Sequence, residues 1–203
     1  KAAFLYWFTG DLAAARFAVD ILWPYVLGMH HRQNPDTFED HSQAHILGIA
    51  TFEVIHERIT TPLTVAYDFL YPHLIETGED VALIQNLFKR WADRIIEGGF
   101  AQGNWNLHQA KYLVGLALAL EPDKAYEDGR GQEHYLAQFT HVSSANQACV
   151  EDVISEQYDQ ETGVWPESPG YAFGVTDNIL RLAQLVYNAT GEDLVARYPL
   201  LEK

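Results

Sequence analysis

The chain has 203 residues, 48% hydrophobic and 13% aromatic, enough to bury one good core, so it is neither a disordered tail nor a small disulfide scaffold. Its 13 basic against 28 acidic residues give a formal net charge of -15, which argues against nucleic acid, because phosphate binding needs a dense basic surface. Cys149 is the single cysteine, which excludes an internal disulfide and any cysteine-based zinc site.

Apolar residues recur at helical spacing along nearly the whole length. Leu12, Ala15, Val19 and Leu22 mark one segment; Ile46, Ile49, Phe52 and Ile59 mark another. No unbroken run reaches the roughly 18 apolar residues that span a bilayer, and the first residues lack the pattern of a signal peptide. Thr61-Pro62 predicts a helix start, with the helix running through Ala66 to Tyr71 and ending before Pro72. Thr77 to Asp80 opens a helix that Gly98-Gly99 closes, and the next starts near Asn104 or Asn106 and ends before Pro122. Helical pattern returns from Glu133 to Tyr158 with a break near Ser143-Ser144, then from about Val175 to Asn188, and again after Gly191-Glu192-Asp193. No strand pattern stands out. The expected fold is all-α: one helical domain over residues 1–203, made of antiparallel hairpins in a bundle, a solenoid or a closed toroid. No motif recurs at a fixed period, which disfavours helical repeat arrays.

Three places carry candidate chemistry. In Gly98-Gly99-Phe100-Ala101-Gln102-Gly103-Asn104-Trp105-Asn106-Leu107-His108, glycines admit close backbone approach and two asparagines fall where a helix offers unpaired N–H groups and a positive dipole end. That suits a carboxylate, although one asparagine can equally be a simple cap and Trp105 a core aromatic. In Trp165-Pro166-Glu167-Ser168-Pro169-Gly170-Tyr171, two prolines stiffen a turn that delivers Tyr171 to a helix start, where a phenol can exchange protons or merely pack. His41 and His45 share a helix face at metal-ligand spacing, but the glutamate of a zincin motif is missing, so no metal is assigned there; Asp40-His41 at a helix start could instead line a cleft.

Three segments in order resemble the heparinase II/III-like polysaccharide lyases: Val65-Ala66-Tyr67-Asp68-Phe69-Leu70-Tyr71-Pro72, then Gly103-Asn104-Trp105-Asn106 with Leu116-Ala117-Leu118-Ala119-Leu120 behind it, then Trp165 to Tyr171. The resemblance implies the helical hairpins of an (α/α) toroid, with the chain part of a longer polypeptide whose β-sandwich domain is not seen here. It implies β-elimination on a uronic-acid glycan, with the carboxylate-neutralising role on Asn104 or Asn106 and the acid/base role on Tyr171. Glu167, Trp105, Trp165 and His41 would bind substrate. It also implies an acidic polysaccharide partner, a secreted or periplasmic setting, no required cofactor, and at most a structural metal in the unseen domain. Leu107 stands where many relatives carry histidine directly after the asparagine, so the histidine role shifts to His108. A glycoside hydrolase with paired carboxylates drawn from Asp40, Asp68 and Glu167, and a non-catalytic helical scaffold, are the competing readings.

Overall fold

The computed structural model describes residues 1–31 and 59–202; His41, His45 and Asp40 lie outside them. All regular structure among the described residues is helical, so the chain is all-α. The longer helices are α1 (Ala2–Thr9), α2 (Leu12–His30), α3 (Thr60–Thr77), α4 (Val81–Gly98), α5 (Gly103–Leu118) and α6 (Gln132–Thr140). A short α7 (Val150–Asp152) widens into a π-turn over Val153–Gln157, followed by α8 (Pro169–Thr190) and α9 (Leu194–Arg197).

Local chemistry explains most boundaries. Asp11 caps α2 by accepting from Ala13 N–H at 2.8 Å, and Asp80 caps α4 by accepting from Leu83 N–H at 3.0 Å. Gly10 and Gly191 end α1 and α8 in the left-handed conformation.

Two predicted boundaries are wrong. The α3 helix does not stop at Tyr71 but runs through Pro72 to Thr77, ending at left-handed Gly78. Pro72 forfeits one intrahelical bond, yet Tyr67, Leu70 and Leu74 are buried on either side of it, and packing of that face outweighs the loss. The α8 helix starts at Pro169 rather than near Val175, because a proline at the first helical position is already set at the helical φ.

The core forms around α5, which packs against α3, α4, α6 and α8. Its residues Leu107, Ala110, Leu113, Val114, Leu116 and Ala117 are all buried, together with Phe88 and Trp91 of α4 and Tyr135 and Phe139 of α6. Burying the leucine, valine and phenylalanine side chains among them is worth roughly 1.5–3 kcal/mol each against leaving them in water. The α1–α2 hairpin, joined through Gly10 and Asp11, packs on α3. Length and composition would allow α2 to cross a membrane; here Ala15, Leu22 and Val26 on one face are buried in the core, while Phe17 and Tyr25 are exposed.

Candidate active site

The turn between α4 and α5 is tied down by amides. Gln109 on α5 accepts from Phe100 N–H at 2.8 Å and donates to the Asn146 carbonyl at 2.7 Å and to Gln147 Oε1 at 2.6 Å. Gly99 lies so close that a Cβ there would sit 2.4 Å from Gln109 Oε1 and 2.5 Å from the Ile95 carbonyl oxygen. Ser144 holds the facing 141–149 loop by donating to the Ile96 carbonyl at 2.8 Å.

From this anchored turn α5 begins at Gly103, in the left-handed region at φ 68°, with no side-chain cap from Gln102. Across from it, Trp165 to Ser168 leads into α8, whose Ser168 also makes no side-chain cap bond. The two helix starts meet: a Cβ built on Gly103 would lie 3.8 Å from Glu167 Oε1. Between them is a cavity of about 460 Å³ lined by Gln102, Gly103, Asp152, Glu156, Gln157 and Glu167, with Trp165 and the serines of the 141–149 loop. Each helix start presents orphan N–H donors and the positive end of a dipole. Carboxylates line the cavity and no basic side chain of the described residues does.

The sequence candidates fall into distinct positions. Glu167 and Trp165 line the cavity; Trp165 is 2% exposed and packs edge-on against Tyr158 at 5.2 Å, so it builds the wall and offers no open ring face. Asn104 is half-buried directly after Gly103, and Tyr171 is 55% exposed in the first turn of α8. Neither side chain lines the cavity itself; both stand one or a few residues beyond its rim. Asn106 is fully buried and spends its amide on the fold: Nδ2 donates to the Ala148 carbonyl and Oδ1 accepts from Ala148 N–H, both at 2.9 Å. A ligand carboxylate cannot reach it without breaking both bonds, so of the two asparagines offered for the role Asn104 is the one whose side chain is not committed to this ring. Trp105 is half-buried and packs edge-on against Phe100 at 5.0 Å, and His108 is half-buried further along α5, outside the cavity lining. His41 lies outside the described residues.

Sequence reading missed Asp152, Glu156 and Gln157. Asp152 and Glu156 stand four apart, a spacing that puts two carboxylates on one helical face, and that was the available signal. Asp68 lines a different cavity of about 440 Å³ with Lys111, Leu182 and Leu185, and partial burial raises its carboxyl above the ordinary value. Asp68 and Glu167 therefore do not face each other as a pair. Among the described residues no group of three or more histidine, cysteine, aspartate or glutamate side chains is placed to hold a metal ion.

No family model matches the chain, and no solved structure matches it. In an alignment 184 positions long that takes in 85% of this chain, the chain is 23% identical to an endo-acting ulvan lyase of Formosa agariphila, and it spans 22% of that protein. This chain is thus a distant relative of part of a polysaccharide lyase.

Proposed function

We propose that this chain is the helical, site-bearing part of a polysaccharide lyase that cleaves a uronic-acid glycan by β-elimination, on the heparinase II/III-like pattern of (α/α) hairpins. The observation that carries the reading is the meeting at one cleft of two helix starts, those of α5 and α8, whose N-cap residues Gln102 and Ser168 make no side-chain cap bond, with Glu167 Oε1 3.8 Å from where a Cβ of Gly103 would lie. The distant likeness to an endo-acting ulvan lyase supports it independently.

The chemistry asks for two things of such a cleft. A base removes the proton from C5 of the uronate, the C–H electron pair becomes the C4=C5 double bond, the C4–O bond breaks, and an acid protonates the leaving oxygen. The C5 proton is scarcely acidic beside a charged carboxylate, so that carboxylate must be neutralised and the developing enolate charge stabilised. The Asn104 carboxamide and the orphan N–H groups at the start of α5 supply donors for it, aided by the positive dipole end, an effect of roughly 0.3–1 kcal/mol at an exposed helix start. Tyr171, solvent-accessible in the first turn of α8, carries the phenol oxygen that we assign as base and acid in turn: as phenolate it takes the C5 proton, and the phenol so formed hands that proton to the leaving C4 oxygen. No cofactor is needed for these steps. The setting we propose is secreted or periplasmic, where such polymers are met.

A second reading is favoured by one observation: Asp152, Glu156 and Glu167 line the same cavity, a set of carboxylates from which a glycoside hydrolase could draw its acid and its base or nucleophile. Product chemistry separates the two. The full-length protein is incubated with ulvan, alginate, heparan sulfate, hyaluronan and chondroitin while ultraviolet absorbance and reducing ends are followed. Elimination raises both signals on at least one polymer; reducing ends without absorbance replace the lyase with a hydrolase; neither signal removes both readings for these glycans.

A further inference from the structure

Gln157 is the last residue of the π-turn, 54 positions beyond Gly103, and its side chain bridges the start of α5. Its Oε1 accepts from Gly103 N–H at 3.0 Å while its Nε2 donates to the Ala101 carbonyl at 3.1 Å. The partners are a donor and an acceptor of fixed kind, so they settle the orientation of the amide. The bridge satisfies one of the orphan donors of α5, a job no cap performs here, since Gln102 makes no side-chain cap bond. Gly103 has no Cβ to restrain it, and its left-handed conformation is one that glycine enters and leaves freely. Gln109 ties down Phe100 earlier in the turn, and at Ala101 and Gly103 the side chain that reaches in from outside is Gln157.

A π-turn adds one residue per turn and widens the helix locally, a distortion that is often found at functional sites. Here the widened turn carries Glu156 and Gln157 to the wall of the cavity that Glu167 also lines. We propose that Gln157 is a positioning residue of the lyase site: by clamping Ala101 and Gly103 it aims the Asn104 amide and the free N–H groups of α5 at the uronate carboxylate. The proposal rests on the lyase reading above. It makes Gln157 act through α5, with no contact to the reacting atoms, and it predicts an effect that falls on turnover more than on binding. Transition-state stabilisation depends on where the donors point as charge develops, and a displacement of about 1 Å costs on the order of a hundredfold.

The test compares wild type, Gln157→Met and Gln157→Glu in the full-length protein with ulvan, reading kcat and KM by product absorbance and folded fraction by circular dichroism. Methionine keeps length and volume but loses both hydrogen bonds; glutamate keeps an acceptor for Gly103 N–H but sets a carboxylate oxygen against the Ala101 carbonyl, to which the glutamine amide nitrogen donates. The expected result is a kcat per folded molecule at least about tenfold lower in both variants, with KM within about twofold for Gln157→Met. A wild-type kcat in Gln157→Met overturns the proposal and leaves the lyase reading intact. A Gln157→Met protein that does not fold, or losses in both variants that only track folded fraction, assigns the bridge to stability and also overturns it. A wild-type protein that cuts no ulvan removes the lyase reading for this polymer and the proposal with it.

Discussion

Asn106 and Ala148, 42 residues apart, close a ring of two hydrogen bonds, each 2.9 Å long, between one carboxamide and one backbone unit. The pairing pins the 141–149 loop to α5 and, with Gln109 and Gln147, forms a buried amide network behind the cleft. Asn106→Ala leaves the Ala148 N–H without its partner, and an unsatisfied buried group costs roughly 1–3 kcal/mol. The expected loss is about 3 kcal/mol in chemical denaturation of the full-length protein, counting the Ala148 carbonyl as partly relieved by Gln147. Turnover per folded molecule stays near wild type.

Asn104→Ala is the complementary change. Its side chain is half-buried beside the cleft, so stability shifts by less than about 0.5 kcal/mol. Loss of a donor to the developing charge lowers kcat about 100- to 1000-fold. Steady-state kinetics beside denaturation curves for both variants checks the pair; the opposite partition, with Asn106→Ala folded and inactive, would exchange their roles.

The Gly99 position tolerates no side chain, and the reason is space. Its φ is -83°, which any residue adopts, but a Cβ would meet the Ile95 carbonyl oxygen at 2.5 Å, and backbone cannot step aside. Gly99→Ala is expected to cost roughly 1–3 kcal/mol, the usual range for overpacking. Gly103→Ala has room, its nearest contact being Glu167 at 3.8 Å, but must hold φ 68°, a conformation that costs an L-residue roughly 1–2 kcal/mol. Thermal denaturation of the two variants reads both penalties, and a neutral Gly99→Ala would contradict the packing described for this turn.

Acid weakens one surface tie in a predictable direction. Lys89 donates to both Asp128 oxygens at 2.8 Å, and this hydrogen bond, ahead of the Arg130 backbone N–H, holds the Asp128 carboxyl below its ordinary value. A carboxyl depressed by folding stabilises the fold above its unfolded pKa, near 3.9, and that contribution disappears as pH falls through the lower folded value. The pair is exposed on the aspartate side, so the gain stays within about 1 kcal/mol. Asp128→Asn should therefore be slightly less stable than wild type at pH 7, and the gap should close once pH is well below about 3. A gap that widens in acid would reverse the sign of the argument.

Local signals explain what was legible. Asp80, Gly98 and Gly191 announced helix ends because capping depends on residues next to one another, and the all-α class followed from apolar spacing. Pro72 misled because the burial of Tyr67, Leu70 and Leu74, a tertiary property, overrides a local breaker. The segments around Gly103 and Glu167 stood out by their glycines and prolines, and the fold brings them together. What stayed hidden is long-range: Gln157 reaches Gly103 across 54 residues, and the Asn106 to Ala148 ring spans 42, distances at which sequence carries no periodic trace. Nothing local distinguishes Asn104 from Asn106, two residues apart on one helix; only burial separates a donor kept for the fold from one left beside the cleft.

The most direct measurement is the initial rise of ultraviolet absorbance when full-length protein meets ulvan, wild type against Tyr171→Phe at equal folded concentration. The phenol is 55% exposed, so its removal costs little packing, while loss of a proton-transferring group lowers turnover by about 100- to 10000-fold. A rise in wild type that Tyr171→Phe reduces by at least about 100-fold is the predicted result. Equal rates in the two proteins would contradict the role given to Tyr171 and the placement of the chemistry at the start of α8.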